Sequence, residues 1–426
     1  MQDRRAAIIG PALFLLLPVT AQAGGFALSD KSVSSLGYAF AGTAAFAEDA
    51  STLYNNPAGL VQLGHRQLAL GVHVIRNEAT FRDAGSNVPG DDTSELESTT
   101  PSPNAYFVET LGPDLRLGLG IFAPFGMRAE YDDDWRGRYH AVSTELKTVN
   151  LSPAVAWRVH ERLALGASVD VQYLDAHMKQ AVDFQRICQV QLGIPACSGL
   201  SDGTQKLEGD SLAYGYSVGL TWEMSELTRL GAVFHSDVRH TIRGDSDFSG
   251  VPAPFAGVFT DSSGRVTLHL PEVVSLSLAH RATSALTLLA DATWTRWSRF
   301  DELRLRFDNG LPDAATAQEW EDVWRYALGL AWDVNPRWRL RLGISDEGGA
   351  VPDAAYRSPR SPDGPRRMYA VGFNYATSER FSLDVAYARV ILPELAIHAR
   401  DSLGHELVGD YEVAGELASV QGNWRF

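Results

Sequence analysis

The two ends of this 426-residue chain, taken together, restrict its fold more than any feature between them. Met1 to Ala23 has the form of a cleavable export signal. Arg4 and Arg5 make a short basic region, Ala6 to Leu17 an apolar core, and Ala21-Gln22-Ala23 a small-residue cleavage site before Gly24. That core is short for a retained anchor, since a helical span takes roughly 20 apolar residues. No later apolar run is long enough to span either. The other end closes on an alternating segment, Ala418, Val420, Gly422, Trp424 and Phe426, whose last residue is aromatic. Export, no helical span and a terminal aromatic strand predict an all-β fold: an antiparallel transmembrane β-barrel in the bacterial outer membrane.

Alternation carries the barrel reading. Leu163, Leu165, Ala167, Val169, Val171 and Tyr173 share one face, against Ala164, Gly166, Ser168, Asp170 and Gln172. Trp324, Tyr326, Leu328, Leu330 and Trp332 alternate with Arg325, Ala327, Gly329, Ala331 and Asp333. A soluble β-sandwich would alternate too, but its strands usually run to about five or six residues. These segments are longer, and several end in aromatics, as strands crossing a membrane interface do. Six short turns appear at 112–114, 159–162, 225–227, 283–284, 335–337 and 378–380. Seven longer polar connections fall near 82–103, 129–144, 182–209, 244–262, 308–319, 347–366 and 396–409. Short and long connections in alternation imply 14 strands, an even number with the long loops outside. The barrel would occupy 63–426.

Composition excludes several classes. A net charge of −15 argues against nucleic-acid binding. The slightly negative mean hydropathy fits a wall of which half faces a polar lumen. The chain has two cysteines, Cys188 and Cys197, in a predicted loop; in an oxidising compartment they predict a disulfide, and without nearby histidines they make a poor zinc site. Asp132-Asp133-Asp134 lacks the spaced oxygens of a calcium loop and reads as a solvated face. His140, His177, His235 and His240 lie near loop ends without a serine or acidic partner at catalytic spacing, so no enzyme is expected. No cofactor or metal is expected.

Residues 24–62 do not read as strands. Gly37 to Ala47 is small and aromatic, Glu48-Asp49-Ala50-Ser51 follows, and Asn55-Asn56-Pro57-Ala58-Gly59 makes a tight turn. A wide lumen needs filling, so the segment is read as a plug or hatch, with a loose periplasmic tail as the alternative.

These segments resemble the FadL-type outer-membrane transporters of long-chain fatty acids and other hydrophobic compounds. The carriers are Gly25-Phe26-Ala27-Leu28, Ser35-Leu36-Gly37-Tyr38-Ala39-Phe40-Ala41-Gly42, Ala47 to Ser51 and Asn56-Pro57-Ala58 in the hatch. Further along are Ala123-Pro124-Phe125-Gly126, Gly137-Arg138-Tyr139, Leu270-Pro271-Glu272, Trp324 to Gly329 and Arg360-Ser361-Pro362-Asp363. The resemblance implies a monomeric transporter of hydrophobic small molecules, surrounded by outer-membrane lipid and lipopolysaccharide. Ligand would be caught between outer loops, pass to an apolar pocket beside the hatch and leave sideways at a kink in the third strand. Pro124 and Gly126 suit that kink, since proline removes a ladder donor and glycine weakens pairing; Asn56, Pro57 and Ala58 are expected beside the gap. Phe26, Phe40, Phe46, Phe122 and Phe125 are candidates for the apolar lining. Arg325, Arg339 and Arg341, with Lys179 and Arg304 toward the outside, are candidates for a carboxylate. Pairing of these cations with Asp291, Asp333 and Asp384 is the alternative. Where the family's carboxylate-binding basic residues align, this chain has Gln180 and Thr316, which leaves neutral aromatic hydrocarbons as a competing substrate class. A general hydrophilic porin without a plug and a loop-based adhesin are the remaining alternatives.

Overall fold

Alternation resolves into an inside and an outside. Thr144, Leu146, Thr148, Asn150 and Ser152 are buried, whereas Val149, Leu151, Val155 and Trp157 are exposed on the opposite face of the same strand. Backbone polar groups in hydrocarbon have no water to bond, so such strands must pair on both edges. The structure, a computed structural model, describes residues 25–28, 31–194 and 197–426; the expected signal lies outside them. It is a closed antiparallel barrel of 14 strands. In chain order these are β1 (Gln67–Asp83), β2 (Thr93–Thr110), β3 (Leu115–Phe122 and Gly126–Glu130), β4 (Ser143–His160), β5 (Leu163–Val182), β6 (Gly203–Glu223) and β7 (Thr228–His235 and Val238–Ser249). They continue as β8 (Ser262–Leu270 and Val273–Arg281), β9 (Leu286–Thr295 and Glu302–Phe307), β10 (Ala314–Ala317 and Val323–Asn335), β11 (Trp338–Glu347), β12 (Arg366–Ala376), β13 (Phe381–Ile391 and Leu395–Arg400) and β14 (Glu406–Arg425). Neighbours in sequence pair throughout, and β14 returns to β1 in the register Gln67↔Arg425.

The six short turns fall where the sequence puts them, but the outer connections are shorter than expected. The one expected at 82–103 shrinks to 84–92, because β1 and β2 pair as far as Arg82↔Thr93. Past the lipid both strand faces are wet, so apolar alternation stops while the ladder continues.

Residues 31–62 lie inside the barrel as short helical pieces, α1 (Val33–Leu36), α2 (Thr52–Asn55) and a 3₁₀ turn (Pro57–Gln62), with a run of tight turns over 37–45 between the first two. Two devices hold them there. The first is charge: the Glu48 carboxylate accepts from Arg339 at 2.5 Å and Arg341 at 3.2 Å on β11, and Arg341 also pairs with Asp384 of β13 at 2.5 Å. The second is a set of wall glycines. A Cβ at Gly231 would strike the Ala44 carbonyl, one at Gly166 the Ala58 backbone and one at Gly343 the Tyr38 carbonyl. Ala39 and Phe40, beside that last contact, hold left-handed φ angles of 51° and 65°, which non-glycine residues adopt only at a cost.

Gly343→Val should therefore push the Tyr38–Ala39 backbone off β11 and cost about 1–3 kcal/mol, as overpacking does. Urea unfolding of the detergent-solubilised protein measures this. Gly257→Val, at an outer position with no neighbour in reach, should leave the midpoint unchanged.

Candidate functional site

The wall is not uniform. Pro124 donates no hydrogen bond, and β3 breaks across 123–125. Below the break β3 pairs with β2 through Ala105↔Ile121 to Thr110↔Arg116. Above it, Gly126–Glu130 pairs with β4, and among the described residues no ladder joins it to residues 93–104 of β2. That half of β2 carries Pro101 and Pro103, which tolerate a missing neighbour because they have no N–H to satisfy. The opening is covered from within by the start of the hatch segment. Leu28 N–H donates to Pro124 O at 3.0 Å, and Gly126 N–H donates to Phe26 O at 3.2 Å. Thr148 of β4 takes the remaining groups, accepting from Phe125 N–H at 2.9 Å and donating to its carbonyl at 2.7 Å.

Phe26 also faces a cavity. It holds about 940 Å³ of empty space, its mouth included, and is lined by Phe26, Met127, Leu146, Ile242, Phe300 and Trp320 among other mostly apolar residues. Further strand breaks shape it. At Pro271-Glu272 the β8 ladder stops, and the Glu272 carboxylate accepts from Arg296 at 2.9 Å and Arg299 at 3.1 Å. Arg296 precedes and Arg299 ends the 3₁₀ turn Trp297–Arg299, which interrupts β9 and leaves Trp297 fully buried. Phe26 meets the rings of Trp297, Phe300 and Trp320 at 4.9, 5.9 and 5.9 Å, edge-on or tilted, as aromatic clusters prefer.

Of the lining candidates named from sequence, Phe26 alone reaches this cavity. Phe125 packs behind it at 6.1 Å. Phe122 stacks on Tyr106 and meets Tyr54 in a separate core. Phe40 sits under Arg325, and Phe46 under Arg339. The five cations are all paired: Lys179 with Asp133, Arg304 with Glu302 and Asp313, Arg325 with Asp291, Arg339 with Glu48 and Asp333, and Arg341 with Glu48 and Asp384. The pairing alternative therefore describes the lumen, since an unpaired charge there is costly.

The hatch turn also sits elsewhere than expected. Asn56 Oδ1 caps the 3₁₀ turn by accepting from Ala58 N–H at 3.0 Å, while its Nδ2 donates to Leu220 O at 2.9 Å on β6. With Pro57 and Ala58 it packs on the β4–β7 wall, and Phe26 to Leu28 take the place by the gap. Trp297, Phe300 and Trp320 are missing from the sequence candidates. Their signal is Trp294, Trp297 and Phe300 at spacing three, which breaks the strand period of two. Among the described residues no cluster of three or more His, Cys, Asp or Glu could hold a metal.

A family model described as outer membrane protein transport protein (OMPP1/FadL/TodX) matches residues 14–426. The chain belongs to this family. It is an outer-membrane β-barrel transporter of hydrophobic compounds rather than an enzyme. Among its relatives is a long-chain fatty acid transport protein of Escherichia coli O6:H1, 27% identical over 391 residues and covering 87% of each chain. Outer membrane protein P1 of Haemophilus influenzae is 28% identical over 418 residues, covering 88% of this chain and 87% of its own. Among solved structures, a Pseudomonas aeruginosa FadL homologue superposes with a TM-score of 0.86 at 24% identity, over 95% of this chain and 100% of its own. The Pseudomonas putida toluene transporter TodX gives 0.72 at 18% identity, over 95% and 100%. At those identities the structural matches speak to fold.

The outer loops above the cavity are tied together. Cys188 and Cys197 are bonded within the 183–202 loop, with Cα atoms 6.1 Å apart. His405, between β13 and β14, hydrogen-bonds to the carboxylates of Asp183 at 3.0 Å and Asp401 at 2.7 Å and stacks on Tyr139 at 4.1 Å. Burial pulls His405 down, but its two carboxylate partners outweigh that and hold it above its ordinary 6.5. Burial raises Asp183 and Asp401, yet the bonds to His405 and to backbone N–H groups hold both below 3.8. The histidine's contribution is complete below 6.5 and fades as pH rises through its raised value. The aspartates' contribution is complete above 3.8 and fades as pH falls through their lowered values. Limited proteolysis of the 183–202 loop should thus be slowest between pH 3.8 and 6.5 and quicken toward alkaline pH; His405→Gln should abolish that rise.

Proposed function

We propose that this chain carries hydrophobic molecules, chiefly long-chain fatty acids, passively across the outer membrane and releases them sideways into lipid. One observation supports this most: the Phe26 ring lines the apolar cavity, while the backbone of Phe26 and Leu28 bonds across the break in β3 and covers the opening beside β2. Whatever displaces that segment from the cavity side frees Pro124 O and Gly126 N–H, and the wall opens beside the ligand. A water-filled lumen is a poor route for an apolar molecule, and here the hatch, tied to Arg339 and Arg341 through Glu48, occupies part of the lumen. Capture would begin at the outer loops, where Val190, Leu192, Ile194 and Val258 stay exposed around a small apolar core. Such exposed apolar groups on loops favour a hydrophobic partner. The mostly aromatic and aliphatic lining also suits a neutral aromatic hydrocarbon.

The test is uptake of labelled oleate, with labelled toluene beside it, by cells lacking their own transporter. They would express this chain or a Pro124→Val/Gly126→Val variant, whose β3 runs unbroken. Wild-type uptake of oleate, reduced at least to about a tenth by the double substitution at equal folded protein, is expected for a gate whose opening loses about 1.4 kcal/mol or more. Equal uptake by both forms would remove the lateral route. Uptake of neither label, with free ion conductance, would leave a porin.

A further inference from the structure

Among the residues lining the cavity, the charged ones are Glu145, Glu208, Asp245, Arg265 and Arg360. The first four occupy outward positions in their strands. Their sequence neighbours Thr144, Leu146, Ser246, Gly264 and Val266 are the buried ones, and Glu145 pairs with Lys147 at 2.7 Å. These four lend the cavity backbone rather than charge. Arg360 is different. It comes from the 348–365 loop, outside any strand, and its guanidinium has only neutral partners. It donates to Thr144 Oγ1 at 2.8 Å, Ser143 O at 3.4 Å and Gln180 Oε1 at 2.6 Å. No carboxylate among the described residues pairs with it, although the luminal arginines Arg325, Arg339 and Arg341 all have one. The titratable groups beside it are Tyr131 and His140.

Burial pulls this guanidinium down to about 10, so it stays cationic at neutral pH. A half-buried cation without a counter-ion is retained at a cost, and an anion entering the cavity lowers that cost. The cation also stands beside Gln180, one of the positions where the sequence lacks a basic residue. Gln180 in turn donates to Gln205 at 3.2 Å, which donates to Ser246 at 3.1 Å. This neutral row orients the Gln180 carbonyl toward Arg360 and offers no competing charge.

We propose that Arg360 anchors the anionic head of a long-chain monocarboxylate, with the alkyl chain lying along Leu146, Ile242 and Leu268 toward Phe26 and Trp320. This rests on the reading of the cavity as the ligand site, and it selects acid-headed amphiphiles over neutral hydrocarbons. A planar guanidinium suits a carboxylate because two parallel N–H bonds match its two oxygens.

Binding of oleate and of oleyl alcohol to the purified full-length protein in lipid nanodiscs separates the outcomes. Arg360→Gln should raise the oleate Kd about tenfold to a hundredfold, the range for losing a hydrogen bond to a charged group, and leave oleyl alcohol unchanged. Arg360→Lys should recover part of the loss. Gln180→Glu, which keeps the arginine but gives it an internal partner, should weaken oleate alone. Equal losses for acid and alcohol, or no loss of oleate in Arg360→Gln, would overturn the anchor while leaving the cavity as a ligand site. A wild-type protein that binds neither would overturn the transport reading and the anchor with it.

Discussion

In hydrocarbon every backbone N–H and C=O must find a partner within the protein, and the rest of this structure is arranged around that requirement. Thirteen of the strand junctions meet it along most of their length, and the return of β14 to β1 removes the free edges. The junction of β2 with β3 does not, because proline and glycine interrupt β3 where the ladder would continue. The chain supplies the missing partners from its own beginning, through Phe26 and Leu28, and from one wall hydroxyl, Thr148. A covering segment bonded by two hydrogen bonds is far easier to displace than a strand bonded by a full ladder. The weak place in the wall is therefore also the place where the N-terminal segment is exposed to whatever fills the cavity.

Charge follows the same economy. Barrel interiors admit arginines only with partners, and here the partners are used for construction: Glu48 fastens the hatch to β11, Asp384 joins β11 to β13, and Glu272 fixes the inward turn of Trp297. The cavity is left free of such pairs. Its walls come in part from the interruptions in β9 and β10, which bring Phe300 and Trp320 to the cavity.

Strand order and count were legible because the period of two survives wherever one face meets lipid and the other the lumen. It fails above the lipid, where β1 and β2 run on through wet residues, and at Trp297 and Phe300, where the chain leaves the sheet. Phe26, Pro124 and Gly126 could be named from residue chemistry and family resemblance. Asn56 could be named but not located, since a turn motif does not say which wall it will face. Arg339 and Arg341 looked available for a ligand only because Glu48 and Asp384 lie far from them in sequence. Arg360 was named only within a family-like stretch and not as a ligand candidate, for the converse reason: what marks it is a missing carboxylate partner, and absence of an ion pair is a property of three dimensions.

The wall glycines carry a consequence for assembly. Gly166, Gly231 and Gly343 sit on β5, β7 and β11, well separated along the chain, and each accommodates a different stretch of the hatch backbone. No adjacent pair of strands presents all three footprints, so the complete seat comes into being only when the strands from β5 to β11 are assembled. The inner segment thus needs half of the cylinder in place before it can seat, and it is matched to this particular wall. A hatch whose backbone approached the wall at other positions would meet side chains there, which makes plug and cylinder a matched pair.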